Sequence, residues 1–63
     1  MNDKDYTALT GKIAITDTDL QPSGTVLIDN EIYEAETEGE FVEAGRGARV
    51  TRVRGKKIFV RRV

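Results

Sequence analysis

Ser23 is the only serine of the chain, and a lysine at Lys12, Lys56 or Lys57 would be needed to activate it as a Ser–Lys nucleophile. Its neighbours Pro22 and Gly24 mark a turn instead. No spacing places a second catalytic group beside it, and no oxyanion-binding loop follows. Asp17-Thr18-Asp19 has the alternate carboxylate spacing that opens an EF-hand calcium loop, but the Gly and the closing Glu are missing from the required positions. Glu34, Glu36 and Glu38 recur at intervals of about 6.6 Å along one strand face, the pattern of a solvated acidic surface. Gly45-Arg46-Gly47 would suit a phosphate cradle only if a helix followed, and a strand pattern follows. With 0 His and 0 Cys, disulfides and Cys-based zinc sites are excluded and the commonest metal ligand and general base is missing. The expectation is a non-enzymatic domain with no catalytic residue, no metal and no cofactor.

Charge is the stronger signal. All 11 acidic residues lie in positions 1–43 with only Lys4 and Lys12 against them, a net of −9, whereas positions 46–63 carry the remaining 8 basic residues and no acid. A basic third admits nucleic acid, an anionic membrane or an acidic protein as partner. Single-stranded nucleic acid asks for a basic groove with stacking aromatics. Arg49, Arg52, Arg54, Lys56, Lys57, Arg61 and Arg62 supply the charge. Of the aromatics, Tyr33 and Phe41 fall at expected core positions and Tyr6 in the tail, leaving Phe59 facing outward. Lys56-Lys57 also invites comparison with the hairpin lysine of a lipoyl or biotin carrier, but the Met or Ala neighbours of that site are absent.

The elements that must carry these residues are strands. Val, Ile and Thr contribute 18 residues against 3 Leu, a balance favouring pleated sheet. Ordering costs roughly 1.5 kcal/mol per residue in so small a scaffold, so nearly every apolar side chain is expected inward. Period-two alternation marks runs at 12–16, 25–28, 32–38, 49–54 and 57–62. It pairs Ile13 with Ile15, Val26 with Ile28 against Leu27, and Tyr33, Ala35 and Thr37 against Glu34, Glu36 and Glu38. Val50 and Val53 are three apart, which predicts a β-bulge near Thr51-Arg52. Pro22-Ser23-Gly24 predicts a turn with Gly24 at positive φ, Asp29-Asn30 a tight hairpin, and Gly55-Lys56 a second. Between the third and fourth runs a single helical or 3₁₀ turn anchored by Phe41 and Val42 is expected. Residues 1–8 are expected to be a flexible tail and 9–63 the domain.

Five short strands in one small domain avoid exposed edges by closing. The predicted fold is all-β, a small five-stranded Greek-key barrel of the OB type, with an SH3-like barrel and a lipoyl-type sandwich as alternatives. In OB order strand five lies beside strand three, so Arg61 and its neighbours would face Glu34 and Glu36. The tip Arg54-Gly55-Lys56-Lys57 would keep no acidic partner.

Leu9-Thr10-Gly11-Lys12, Ala14, Thr16-Asp17 and Leu20-Gln21-Pro22-Ser23-Gly24, followed by Val26-Leu27-Ile28-Asp29, resemble the start of the C-terminal domain of NfeD-like proteins. The likeness continues through Tyr33-Glu34-Ala35, Gly39-Glu40-Phe41-Val42 and Gly45 to Val50, Val53, Gly55, Ile58 and Val60. The turn Leu-x-Pro-Ser-Gly-x-Val, the strand Tyr-x-Ala and the loop Gly-x-Phe-Val-x-x-Gly are its most specific parts. Gln21, Ile13 and Asn30 depart from the family pattern, the last without loss of turn chemistry. The resemblance implies an OB-fold domain that follows transmembrane helices and acts with stomatin- or flotillin-like membrane scaffolds. The serine-protease domain of longer relatives has no counterpart here.

The longest uncharged stretch, Leu20–Ile28, is 9 residues, far short of the ~20 that span a bilayer. The start Met1-Asn2-Asp3-Lys4-Asp5 is too polar for a signal peptide. Any anchor is therefore expected upstream, with the domain beside the membrane, on its cytoplasmic side, and monomeric in isolation. Arg52, Arg54, Lys56, Lys57 and Phe59 are the candidate partner contacts, no small-molecule substrate is expected, and a small nucleic-acid-binding OB domain is the alternative function.

Overall fold

The computed structural model describes residues 6–63, and in it the alternating runs become β1 (Ile13–Thr16), β2 (Ser23–Ile28), β3 (Glu31–Glu36), β4 (Gly47–Arg54) and β5 (Lys57–Arg62). They close in the order β1-β2-β3-β5-β4, with β4 returning to β1. β1 thus lies between β2 and β4, and β3 meets β5 in the one parallel pairing, as the OB topology requires. The other four pairings are antiparallel.

Local chemistry explains the joints. Asp29 and Asn30 both adopt positive φ, 51° and 68°, the type I′ geometry that matches the twist of a two-residue hairpin. In the β4–β5 hairpin Gly55 takes positive φ, 61°, at the first of the two central residues while Lys56 does not, the type II′ arrangement that favours glycine there. The expected bulge is present, the β4–β5 register slipping between Val50 and Arg52. The Thr51 hydroxyl donates to the Phe59 carbonyl across the interrupted ladder at 3.2 Å. The slip lets Val53 turn toward the core that Val50 already fills.

Inside lie Leu9, Ala14, Leu20, Val26, Ile28, Ala35, Val42, Ala48, Val50, Ile58 and Val60, together with the hydroxyl-bearing Thr16 and Thr37. Burial of a Leu, Ile or Val side chain contributes about 1.5–3 kcal/mol. The expectation that nearly every apolar side chain turns inward does not hold. Ile13, Ile15, Ile32, Phe41 and Val63 are all exposed. On β1 the small residues Ala14 and Thr16 point in, and Ala14 sits in register with the equally buried Ala48 of β4.

Three further expectations are corrected. No helical turn joins β3 to β4: the 3₁₀ turn is Tyr6–Leu9, and Phe41 is exposed and outside the core. The β3–β4 connection is instead pinned by side chains. Thr16 Oγ1 donates to the Glu43 carbonyl at 2.6 Å and accepts from the Arg46 amide at 2.9 Å, Thr37 Oγ1 donates to the Glu40 carbonyl, and Leu20 bridges Val42. Those bonds satisfy backbone groups that a helix would have satisfied internally. Of the expected tail, residues 1–5 lie outside the described residues. Tyr6, expected there as well, packs edge-on against Tyr33 with ring centroids 5.5 Å apart.

Gly24 is not at positive φ either; it lies in β2, and a Cβ there would fall 2.5 Å from the Asp19 carbonyl oxygen. Close backbone approach, not turn geometry, requires glycine at this position.

Candidate partner interface

Outward-facing residues are the ones the barrel does not need for packing, and the two sheet layers present opposite chemistries there. On the β1–β2–β3 layer, register places Ile15 against Leu27 and Leu27 against Ile32, a row of aliphatic side chains across three strands. Ile15 is 46% and Ile32 52% exposed, and Ile13, at 49%, widens the row. Two residues away from each of these along the chain runs a second row, Asp17 just past the end of β1, Thr25 on β2 and Glu34 on β3. The Thr25 hydroxyl donates to Asp17 Oδ2 at 3.3 Å, and Thr25 is in register with Glu34. Asp17 and Glu34 make no ion pair among the described residues.

On the β4–β5 layer the outward residues are basic. Arg49 stands directly across from Arg61, with Arg62 and Val63 lining the same shallow depression. Like charges opposed across strands are destabilising, so this face is not arranged for its own stability.

The five expected contact residues do not form one free surface. Arg54 and Lys56 are exposed at the β4–β5 tip and make no ion pair among the described residues. Lys57, expected to lack an acidic partner, pairs with Glu36 at 3.0 Å. Arg52 reaches Glu38 at 3.7 Å and lays its guanidinium 4.4 Å from the centre of the Phe59 ring, which is half-buried beneath it. The reason is register. Parallel pairing sets Ala35 against Ile58 and Glu36 against Phe59, so Arg61 lies beyond Glu34 and Glu36, in a cleft with Glu38 and Glu40. Charge complementarity between β3 and the basic strands is real, but Lys57 and Arg52 supply it.

The remaining chemical candidates have structural tasks. Ser23 shares a shallow groove with Lys57, whose ammonium is paired to Glu36, and no hydrogen bond joins the two among the described residues. Asp19 accepts the Ala44 amide at 2.9 Å, tying the β1–β2 loop to the β3–β4 connection. Lys12 pairs with Asp29 at 3.0 Å and Arg46 with Glu43 at 3.3 Å, all four side chains well exposed. The aliphatic outer row was missed because alternation shows that Ile13 and Ile15 share a face without showing which way that face points.

A closed five-stranded barrel in this strand order defines an OB-fold domain. The chain belongs to the NfeD-like C-terminal family, described as a partner-binding domain, whose family model matches residues 6–62. Among curated proteins it is similar to membrane protein NfeD1b of Bacillus subtilis (strain 168), with 46% identity over 57 residues. That match covers 90% of this chain but only 13% of the longer relative. Among solved structures it resembles the C-terminal domain of stomatin operon partner protein 1510-C from Pyrococcus horikoshii, with a TM-score of 0.85, 24% identity and 89% of each chain covered, a likeness of fold. Some of the residues on which the sequence resemblance rests, Leu20, Pro22, Gly24 and Val42, meet where the β1–β2 loop joins the β3–β4 connection. Leu20 bridges Val42, the Pro22 carbonyl accepts the Thr37 amide at 2.8 Å, and Gly24 admits the Asp19 backbone.

Proposed function

We propose that this chain is the non-enzymatic docking domain of an NfeD-like membrane protein, and that it binds a stomatin- or flotillin-like scaffold beside the membrane. The observation that supports this most is the composition of the β2–β3 outer face. OB-fold domains take oligonucleotides on that face, using cations and stacking aromatics. Here it presents Leu27, Ile32, Thr25, Glu34 and Glu36. Carboxylates repel phosphate and aliphatics do not stack on bases, whereas an aliphatic row bordered by acids suits a protein surface. The name of the Bacillus relative and the stomatin operon of the Pyrococcus neighbour support the membrane setting and the class of scaffold. Arg54 and Lys56 at the opposite hairpin, with Arg49 and Arg61 on the β4–β5 face, suit an anionic headgroup surface on the cytoplasmic side. Each basic residue near such a surface contributes about 1 kcal/mol.

Calorimetry of the chain against a purified stomatin-like scaffold, and separately against single-stranded DNA and RNA at low salt, tests this function. Saturable binding to the scaffold and none to the oligonucleotides is expected. Oligonucleotide binding with a steep salt slope, or no scaffold binding, would overturn the proposal.

A further inference from the structure

The two parallel rows on the β1–β2–β3 face have dimensions that suit one kind of guest. The aliphatic row Ile15–Leu27–Ile32 crosses three strands, two spacings of roughly 4.8 Å, so it runs roughly 10 Å from end to end. In an α-helix the apolar positions i, i+4 and i+7 share a face and span about 10.5 Å. The acidic row, Asp17 just past β1 with Thr25 and Glu34, lies two residues along the chain from the aliphatic one, about 6.6 Å to one side. That offset is about the radius of a helix with its side chains. Asp17 and Glu34 face outward without an ion-pair partner among the described residues.

Resting on the docking function argued above, we infer that this face seats an amphipathic helix of the partner, laid across β1, β2 and β3. Its three apolar anchors pack on Ile15, Leu27 and Ile32, with Ile13 extending the seat. Lysines or arginines along one flank of the helix meet Asp17 and Glu34. Burial of the aliphatic row supplies affinity, and the acids on one side only supply orientation. The same acids disfavour an anionic bilayer as occupant, and no aromatic side chain from β2 or β3 faces outward here to hold a base.

Two helical peptides of about 20 residues with the same leucine stripe, one flanked by lysines and one by glutamates, are the probes, followed by amide spectra of the 63-residue chain. The lysine peptide should shift the amides of Ile15, Asp17, Leu27, Ile32 and Glu34 and bind about tenfold more tightly than its glutamate counterpart. Ile15→Asp combined with Ile32→Asp should abolish binding while the amide spectrum keeps the dispersion of the folded barrel, since both side chains are about half exposed. Asp17→Asn with Glu34→Gln should remove the preference between the peptides. Equal affinity for the two peptides, no binding, or shifts centred on Arg54 and Lys56 would overturn the inference. So would concentration-dependent dimerisation abolished by the Ile15 and Ile32 changes, which would assign the face to a second copy, or the same amide shifts on adding phosphatidylglycerol vesicles. A scaffold that binds the double-aspartate variant as well as the wild type rejects this seat and leaves the docking function standing; a scaffold that ignores the wild type rejects the function itself.

Discussion

The outer faces of β2–β3 and β4–β5 belong to one closed barrel, yet one is aliphatic and acidic and the other basic. Their inner faces are interchangeable in kind, Val26, Ile28 and Ala35 on one side and Ala48, Val50, Ile58 and Val60 on the other. The charge division along the chain, −9 before residue 44 and +8 after 45, thereby becomes a division in space. The two signs meet at the β3–β5 seam and beside it, where Glu36 holds Lys57 and Glu38 holds Arg52, and in the β3–β4 connection, where Glu43 holds Arg46. Elsewhere the faces are left to solvent, and that freedom is what makes them available to different partners.

The largest expected effect separates inside from outside. Leu20→Ala, at a side chain with 0% exposure, should cost about 2–5 kcal/mol, enough to unfold much of a domain this small at ambient temperature. Ile15→Ala on the outer row should stay within about 0.5 kcal/mol. Urea midpoints measure both, and comparable losses would mean that the outer row packs as core. Gly24→Ala comes next. Its Cβ would press on the Asp19 carbonyl from 2.5 Å, and a loss of about 1–3 kcal/mol should lower the melting temperature.

Arg52→Ala should cost about 0.5–1 kcal/mol by uncovering Phe59 and releasing Glu38, discounted because the side chain is 53% exposed. A double-mutant cycle with Glu38→Gln isolates the ion-pair share, and a vanishing coupling would assign the whole effect to the ring contact. Smallest in stability, Arg54→Glu with Lys56→Glu should change the melting free energy by less than about 0.5 kcal/mol while weakening sedimentation with phosphatidylglycerol vesicles. Unchanged vesicle binding would remove the basic hairpin from the comparison and leave Arg49 and Arg61 to account for it.

Much of the wall was legible in sequence because its signals are local. Asp29-Asn30 and Gly55 each bend the chain within a few residues, and the three-residue spacing of Val50 and Val53 demands an extra residue wherever they lie. The β3–β4 connection was not legible. Its order comes from Thr16, Thr37 and Asp19, whose partners Glu43, Arg46, Glu40 and Ala44 are as far as 30 positions away. A threonine reveals nothing in sequence of the distant carbonyl it will bind. The candidate contacts were legible as types but not as a surface: Arg54 and Lys56 stay exposed, while Lys57, Arg52 and Phe59 are drawn into the seam.

The amino-acid order by itself determined the strand set, both hairpins, the bulge, the absence of His and Cys chemistry, and the separation of acid from base. These follow from the bond geometry and composition of short segments, which no folding partner alters. Only the tertiary structure decided which face of β1 turns inward and which carboxylate each cation meets. Alternation is symmetric between a strand's two faces, and only closure of the barrel, which sets Ala14 against Ala48 and Ile58 against Ala35, breaks that symmetry and brings Ile15, Leu27 and Ile32 into one exposed row.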